Sequence, residues 1–390
     1  MTVPVLKDAE LGERNLTRKL ADIRAELRTE YLESHPRPWI VGFSGGKDST
    51  LVLQLVIEML LELPPSRRLR TVHVLSNDTQ VESPVVQGFI DAVLARIDEA
   101  VEPLRIPVVV RKTTPDLEGS FWVNLIGRGY PAPNRLFRWC TDRMKIRPTT
   151  AYIHDQAAKN GEVILLLGVR RLESSARAKV IKRYDNGTRL NPHNDVPGCL
   201  VFRPIVELTT EEVWTSLLQL RPPWGGTHRD LVTLYRNGQG GECPFVTDQE
   251  DAPSCGTSSS RFGCWTCTVV EKDKSMLGFI DNGFEHLEPL VEFRDWLQLF
   301  SRDHSNRMLE RRNGNPGIGP FTMESRRLLL SRLLDTQARL QEGLREAGGD
   351  VSLKVISERE IERIQEIWRT DGDQAVLRKT GRALLVLEQA

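Results

Sequence analysis

Five short apolar runs recur along the first half of the chain, separated by longer segments. The runs cover residues 39–43, 71–75, 106–110, 163–167 and roughly 200–205. Their apolar positions are continuous rather than alternating, which is typical of parallel strands covered on both faces. The intervening segments are long enough for crossover helices. The pattern predicts an α/β fold, a doubly wound parallel sheet, with its ligand at the carboxyl ends of the strands.

Helical spacing dominates the two ends of the chain. Apolar residues recur among charges over residues 8–34, so we expect an amphipathic helix there. Residues 283–347 also favour helices, and Ser357 with Glu360 has the pattern of a capping box that opens a last helix. Between sheet and helices, residues 238–275 are rich in glycine, serine and proline, which indicates a loop.

These patterns divide the chain into four predicted segments. They are an N-terminal helix (1–36), an α/β domain (37–236), a cysteine-rich loop (237–276) and a helical C-terminal region (277–390). The length of 390 residues suits one large domain with an appendage, or two domains.

Charge and hydropathy limit the classes of partner. The 53 basic residues equal the 53 acidic ones, so a global basic field for nucleic acid is excluded, although local patches are not. No apolar run approaches the length of a membrane-spanning helix, and the first residues lack a signal-peptide core. We therefore expect a soluble cytoplasmic protein without a membrane partner.

A polar, glycine-rich turn follows the first predicted strand and feeds directly into an apolar helix. Its residues are Ser44, Gly45, Gly46, Lys47, Asp48 and Ser49. Glycines let the backbone approach an anion, and the N–H groups and positive dipole end of the helix then face it. Lysine adds a point charge, and aspartate is a ligand type that holds Mg²⁺ against phosphates. The turn predicts a phosphate site.

Polar residues also gather near the ends of the other predicted strands. They are Asp78, Thr79, Arg138, Cys140, Lys145, Gly168, Arg170, Glu173 and Arg177. The basic members would converge on a negative ligand, because guanidinium groups pair with phosphate in two-point contacts. Basic neighbours would lower the pKa of Cys140 and favour a nucleophilic thiolate. The alternative for Cys140 is a small buried hydrophobe, and for the charges a solvated surface.

Four of the six cysteines crowd into the loop with the spacing C-x11-C-x8-C-x2-C. They are Cys243, Cys255, Cys264 and Cys267. Four thiolates can bind zinc or a [4Fe–4S] cluster. Zinc ribbons show two paired C-x2-C units, whereas this loop has one. The uneven spacing favours the iron–sulfur cluster and leaves zinc open.

The turn at residues 44–49 resembles the PP-loop of the ATP pyrophosphatase superfamily. The strand-end motifs, in their order, resemble the phosphoadenosine phosphosulfate (PAPS) reductase family over about residues 37–236. This resemblance implies ATP with Mg²⁺ on the loop, with Asp78, Thr79 and Gly168 also near the nucleotide. Reductases of this family carry a redox cysteine near the C-terminus. Here 123 residues follow Cys267 without another cysteine, which disfavours a reductase.

The cysteine loop is similar to that of the DndC family of DNA sulfur-modification proteins, and a relative such as SspD ranks nearly as high. The resemblance implies an ATP pyrophosphatase with an iron–sulfur cluster that acts in DNA phosphorothioation. Its implied partners are DNA, a cysteine desulfurase as sulfur donor and other phosphorothioation-complex proteins. A tRNA thiolation enzyme, a PAPS reductase-like oxidoreductase and a non-catalytic nucleotide-binding scaffold remain open as alternatives.

Seven arginines lie in the C-terminal region between residues 302 and 332. They are Arg302, Arg307, Arg311, Arg312, Arg326, Arg327 and Arg332. Because acidic residues are interspersed, we favour a solvated face paired with carboxylates over a contact with the DNA backbone.

Overall fold

The computed structural model describes residues 4–173, 175–184, 186–238 and 262–387. The chain packs as two compact units, which we call the sheet unit and the helical unit. The sheet unit comprises residues 1–77, 84–113 and 148–262, and the helical unit comprises residues 78–83, 114–147 and 263–390. Both units draw on segments far apart in the sequence. The four-segment division of the chain stays a prediction.

Six strands among the described residues form one mostly parallel sheet in the sheet unit. They are β1 (Trp39–Gly42), β2 (Val72–Asn77), β3 (Val108–Thr113), β4 (Val163–Leu166), β5 (Leu190–Pro192) and β6 (Cys199–Phe202). Their order is β3-β2-β1-β4-β6-β5, and all neighbours are parallel except β5 and β6. The predicted α/β fold with a parallel sheet is confirmed. The short β5 escaped prediction because Leu190–Pro192 holds only one apolar residue besides its proline.

Seven α-helices lie among the described residues of the sheet unit. They are α1 (Pro4–Tyr31), α2 (Lys47–Glu62), α3 (Pro84–Leu104), α4 (Arg147–Asn160), α5 (Ser175–Tyr184), α6 (Thr210–Gln219) and α7 (Arg229–Asn237). The predicted amphipathic helix is confirmed as α1, whose Arg24 pairs with Glu58 and Glu62 of α2 at 3.2 and 3.0 Å. Consecutive residues of β1, Trp39 and Ile40, are both fully buried, so both faces of the sheet are covered there.

In the part of the helical unit that the structure describes there are four further α-helices. They are α8 (Lys274–Asp281), α9 (Glu288–Arg302), α10 (Met323–Glu346) and α11 (Glu358–Leu387). The predicted capping box is confirmed, since the Ser357 N–H donates to Glu360 Oε2 at 2.9 Å and the Glu360 N–H donates to Ser357 Oγ at 3.3 Å. Trp122, Trp265 and Phe293 share the core, with ring centroids 5.8 to 5.9 Å apart.

The arginine-rich segment does not form one solvated face. Arg326 is buried and donates to the carbonyl of Gly127 at 3.1 Å and to Asp371 at 2.6 Å. Arg307 donates to the carbonyl of Gly319, and Arg332 lies 4.4 Å from the ring of Trp296. Arg326 pairs with a carboxylate as predicted but is buried, and Arg332 is exposed as predicted but packs on a ring. The prediction is wrong for Arg307, because its guanidinium donates to a backbone carbonyl.

Membrane-spanning helices are not found among the residues described. None of those helices is at once long enough and apolar enough to cross a bilayer.

We predict an acid-sensitive stability that depends on His228. This buried side chain donates from Nε2 to Gln54 Oε1, and burial lowers the pKa of His228 to about 4. The unfolded-state pKa is about 6.5. The unfolded chain therefore binds a proton that the folded chain excludes, and the free energy of unfolding falls as pH drops from about 6.5 towards 4. The loss from this group is at most about 3 kcal/mol.

Urea unfolding of the wild type and of His228→Gln at pH 7.5, 6.0 and 5.0 measures this effect. The variant should lose stability less steeply with acid than the wild type. Equal slopes for the two proteins would contradict the assignment to His228.

Candidate functional site

The glycine-rich turn lies at the carboxyl end of β1, where the sheet changes direction between β2 and β4. Gly45 has φ +73°, and a Cβ there would lie 2.5 Å from Cγ1 of Ile90, so only glycine fits. Gly46 precedes α2 without a side-chain cap on the helix. The first N–H groups of α2 therefore follow a glycine bend and have no side-chain cap. Such uncapped N–H groups at a helix start are suited to bind a phosphate.

Three charged side chains meet at the start of α2. Arg170 Nε donates to Asp48 Oδ1 at 2.6 Å, and Lys47 Nζ lies 3.1 Å from Asp48 Oδ2. Lys47 and Arg170 are both buried, Arg170 completely. Two cations share one carboxylate, so the group carries one net positive charge. That charge lies beside the positive end of a helix dipole, which favours an anion.

The Arg170 guanidinium makes three described hydrogen bonds and retains unused hydrogen-bonding capacity. Its Nη1 donates to the hydroxyl of Thr210 at 3.0 Å and to the carbonyl of Leu208 at 3.4 Å. Its Nη2 is buried and makes no hydrogen bond with any residue that the structure describes. A buried guanidinium N–H without a partner costs free energy unless a ligand accepts from it. Phosphate oxygens are acceptors suited to this position.

The residues around the loop fit the phosphates of ATP but do not by themselves offer a metal site. Both oxygens of Asp48 are engaged by cations. Asp48 therefore serves here as an ion-pair partner rather than as a free carboxylate. The Mg²⁺ ligand role remains a prediction.

Tyr235 on α7 is a loop contact that sequence reasoning missed. Its hydroxyl accepts from the Lys47 N–H at 3.3 Å, and Lys47 Nζ lies 5.9 Å from its ring. Trp214 packs edge-on against the same ring at 4.9 Å. Nothing in the local sequence around Tyr235 signals this contact, because 188 residues separate the tyrosine from Lys47.

The other predicted members of the sheet unit have different placements. Gly168 packs directly against the loop, since a Cβ there would lie 2.7 Å from the carbonyl carbon of Asp48. The Glu173 N–H donates to the carbonyl of Arg170 at 3.3 Å. Arg177 lies on α5, and its side chain is not among those described. Its predicted role stays a prediction.

Cys140, Cys264 and Cys267 are neighbours within the helical unit. The N–H of Cys267 donates to the carbonyl of Cys264 at 3.0 Å, which closes the C-x2-C turn. Burial raises the pKa of the Cys140 thiol, and the nearby Cys267 raises it further. The predicted lowering of the Cys140 pKa is therefore wrong: burial outweighs the basic neighbours. The sequence did not connect Cys140 with the loop cysteines.

Polar side chains surround Cys264. Its Sγ lies 3.4 Å from Thr79 Oγ1 and 3.7 Å from Glu82 Oε1, while Lys145 Nζ lies 3.3 Å from Glu82 Oε1. Burial and then Glu82 raise the pKa of Cys264 to about 12. The charge of a Cys264 thiolate and that of Glu82 raise the pKa of Lys145. Lysine is thus a charge partner for a thiolate at Cys264.

Asp78 and Arg138 are the remaining predicted site residues in the helical unit. Asp78 accepts from the Gln80 N–H at 2.7 Å, and Arg138 is exposed one residue before Trp139. Their predicted contacts with a nucleotide stay predictions.

The spacing of the described thiols bears on the choice between zinc and a cluster. Zn–S bonds of about 2.3 Å place tetrahedral sulfur ligands roughly 3.8 Å apart. Among the described residues, Cys140, Cys264 and Cys267 do not form a set of ligand atoms within 4.8 Å of one another. The choice of an iron–sulfur cluster over zinc stays a prediction. Cys243 and Cys255 lie outside the described residues.

Arg294 of α9 holds the chain that follows the C-x2-C turn, and sequence reasoning missed it. Its fully buried guanidinium donates to the carbonyls of Cys267 at 2.9 Å, Glu271 at 2.8 Å and Val270. Gln298, one helical turn later, donates to the carbonyls of Thr268 and Val270 at 3.1 and 2.9 Å. These donors fix the backbone on which Cys267 sits.

Two other features of the sheet unit are separate from the loop. A cavity of about 550 Å³ is lined by α1, Arg171 and residues 187–208, but by no residue of the glycine turn. Glu30, Glu33 and His35 lie close enough to share a cation. However, Arg189 already pairs with both glutamates, at 2.9 and 3.3 Å.

A parallel sheet with a glycine-rich phosphate loop at its switch point defines a nucleotide-binding α/β domain. The family model for the phosphoadenosine phosphosulfate reductase domain matches residues 38–270, more than half of the chain. The chain belongs to this family.

A curated relative is the uncharacterized protein MJ0066 of Methanocaldococcus jannaschii. It is 26% identical over 240 residues, which are 61% of this chain and 38% of that protein. The chain therefore matches well under half of the relative's length.

Two solved structures are similar at low identity. FMN adenylyltransferase of Candida glabrata, in complex with FAD and inorganic pyrophosphate, has a TM-score of 0.36 at 13% identity, over 58% of this chain and 64% of that one. The U34-tRNA thiolase NcsA of Methanococcus maripaludis, with its [4Fe–4S] cluster, has a TM-score of 0.34 at 12% identity, over 73% and 79%. Likenesses this weak carry no argument about function.

We predict that Gly168→Ala weakens nucleotide binding. The new methyl group would lie 2.7 to 2.8 Å from the backbone of Asp48 and Ser49, so the loop must shift. Overpacking of this kind costs about 1–3 kcal/mol, or roughly 10-fold or more in affinity. Calorimetric titration with a non-hydrolysable ATP analogue measures the loss. Gly88→Ala on α3, where the added methyl group meets open space, is the matched control. Equal affinity in the two variants would contradict the prediction.

We also predict that Arg294→Met impairs metal loading. The substitution keeps an unbranched side chain but leaves three buried carbonyls without their donor, which costs about 3 kcal/mol of unfolding free energy. Anaerobic reconstitution followed by iron and zinc analysis should show lower metal content per folded chain. Arg302→Met, at the exposed end of the same helix, is the control. Wild-type metal content in Arg294→Met would refute the positioning role.

Proposed function

We propose that the protein is an ATP pyrophosphatase that activates a DNA backbone phosphate for sulfur incorporation. The observation that carries the ATP half is Arg170, fully buried against Asp48 of the loop with one N–H still unused. Membership of the PAPS reductase domain family supports the choice of an adenine nucleotide. The DNA half rests on the resemblance of the cysteine segment to DNA sulfur-modification proteins.

In the first proposed step, a non-bridging oxygen of the DNA phosphate attacks the α-phosphorus of ATP. An O–P bond forms to AMP, the bond between the α-phosphorus and the bridging oxygen breaks, and pyrophosphate leaves. Lys47 and Arg170 would stabilise the charge on the leaving group, since preorganised cations in a buried site act most strongly where charge develops. The N–H groups at the start of α2 would bind a phosphate.

In the second proposed step, sulfur at the sulfide level attacks the adenylated DNA phosphorus. A P–S bond forms, the P–O bond to AMP breaks, and AMP leaves with the oxygen that is replaced. No net oxidation occurs when hydrosulfide is the donor. A persulfide on a cysteine desulfurase would first need two electrons and two protons from external thiols, which become a disulfide while hydrosulfide is released and the carrier cysteine returns to a thiol.

The cysteines of the helical unit are the proposed place for that sulfur chemistry. Cys140, Cys264 and Cys267 would together bind a [4Fe–4S] cluster. Lys145 and Glu82 would balance charge near Cys264. Such a cluster, when bound, supplies one-electron redox chemistry. Cys243 or Cys255 would complete the ligand set. Other proteins of a phosphorothioation complex would deliver the DNA.

We predict that Asp48→Asn abolishes ATP cleavage while Cys264→Ser preserves it. Loss of the carboxylate leaves the buried Arg170 without its counter-charge and displaces both cations, which should lower the rate by about 100-fold or more. Chromatographic separation of labelled nucleotides, after incubation of anaerobically purified protein with ATP and DNA, measures AMP and pyrophosphate.

Formation of ADP and phosphate instead would refute the pyrophosphatase. In cells, DNA that retains its sulfur in the presence of Asp48→Asn would favour a non-catalytic scaffold. Sulfur found in tRNA rather than in DNA would move the proposal to thiolation of RNA.

A further inference from the structure

Two arginine side chains contact the ring of Tyr130 in the helical unit. The guanidinium of Arg143 lies 5.4 Å from the ring centroid and that of Arg312 lies 5.7 Å from it, and Arg143 Nη2 also donates to the Tyr130 hydroxyl at 3.2 Å. The two arginines are 169 residues apart in the chain, so tertiary packing brings like charges to one ring. A cation–π contact offsets only part of the cost of holding two cations together.

Carboxylates do not neutralise this pair within the described part of the chain. The neighbouring ion pairs are made by other arginines: Arg128 pairs with Glu118, and Arg147 pairs with Asp142. Arg143 and Arg312 form no ion pair with a described carboxylate. Two arginines that contact one ring and form no ion pair with a described carboxylate are suited to an anionic partner.

An exposed apolar turn adjoins the charged ring. Phe137 packs on Tyr130 with centroids 6.3 Å apart, and the neighbouring Leu136 is 99% exposed. The N–H groups of Leu136 and Phe137 donate to Asn134 Oδ1 at 2.9 and 3.0 Å, so the turn is held in place. Arg135, also exposed, precedes Leu136. A fully exposed leucine beside arginines matches the side chains that proteins place against bases while phosphates are bound nearby.

We propose that Tyr130, Arg143, Arg312 and the Arg135–Phe137 turn form a contact surface for a strand of DNA. The arginines bind backbone phosphates, and Leu136 packs against a base. The proposal rests on the proposed function for its choice of DNA, because phosphate and base contacts alone suit either nucleic acid. It is distinct from the arginines of α10, where Arg326 and Arg332 are used in packing.

The arginines and Leu136 should affect the salt dependence of DNA affinity differently. Binding of a phosphate releases counter-ions, so each lost phosphate contact lowers the slope of log affinity against log salt by about 0.7 to 0.9. The double variant R143Q/R312Q should therefore lose roughly 10-fold or more in affinity at low salt, with a slope lower by about 1.5. Leu136→Ser should weaken binding several-fold with the slope unchanged, because it removes only base contact.

Fluorescence anisotropy with a labelled 20-mer, single-stranded or duplex, at four salt concentrations tests these expectations on the full chain. R327Q/R339Q removes the same charge from exposed positions of α10 and is the matched control. Thermal melting of every variant checks that the chain is folded. The proposed DNA contact surface is supported if only R143Q/R312Q binds DNA more weakly and has a smaller slope of log affinity against log salt. Equal losses in the control double variant, or wild-type binding by R143Q/R312Q, would overturn it.

Two further measurements separate this surface from the proposed function. An RNA 20-mer of the same sequence that binds as tightly as the DNA would overturn the assignment to DNA. Pyrophosphate release, assayed with ATP and saturating DNA on the same preparations, reports on the proposed adenylation step. A wild type that binds DNA through these residues but releases no pyrophosphate would refute the pyrophosphatase and leave the surface supported.

Discussion

The ion pair between Asp48 and Arg170 is the contact on which the sheet unit depends. A guanidinium with no exposed surface costs free energy unless a carboxylate balances its charge and acceptors bind most of its N–H groups. Asp48 balances the charge from the start of α2, which follows β1, while Arg170 follows the neighbouring β4. Thr210 and Leu208 bring α6 to the same guanidinium. One buried cation thus ties three elements together at the switch point and leaves an N–H for an anion.

Local patterns were enough to predict the sheet and its phosphate loop. Continuous apolar runs and the Gly45–Gly46 bend are encoded within a few residues, and chain connectivity then places the bend at the carboxyl end of β1. Only β5 was missed, because a three-residue antiparallel edge strand that contains Pro192 has almost no pattern of its own.

Contacts between distant segments could not be predicted in the same way. Tyr235 reaches the Lys47 N–H across 188 residues, and Arg294 caps carbonyls of a turn 27 residues earlier. The predicted pKa of Cys140 failed for a related reason. Sequence shows that Arg138, Arg143 and Lys145 are close along the chain, but Arg143 stacks on Tyr130 and Lys145 pairs with Glu82. Side-chain direction and burial, not proximity in sequence, determine which charges a thiol senses.

The raised pKa values of Cys140 and Cys264 constrain any chemistry at these thiols. At neutral pH both stay protonated in the free protein, and a thiol is neither a good nucleophile nor a metal ligand. In the proposed cluster site, a bound metal would replace the proton and remove the cost of a buried negative charge. Lys145 and the backbone held by Arg294 then face thiolates rather than thiols. A cysteine that binds metal cannot carry sulfur at the same time. Under the proposed function, Cys140 would therefore serve either as a ligand or as a sulfur carrier.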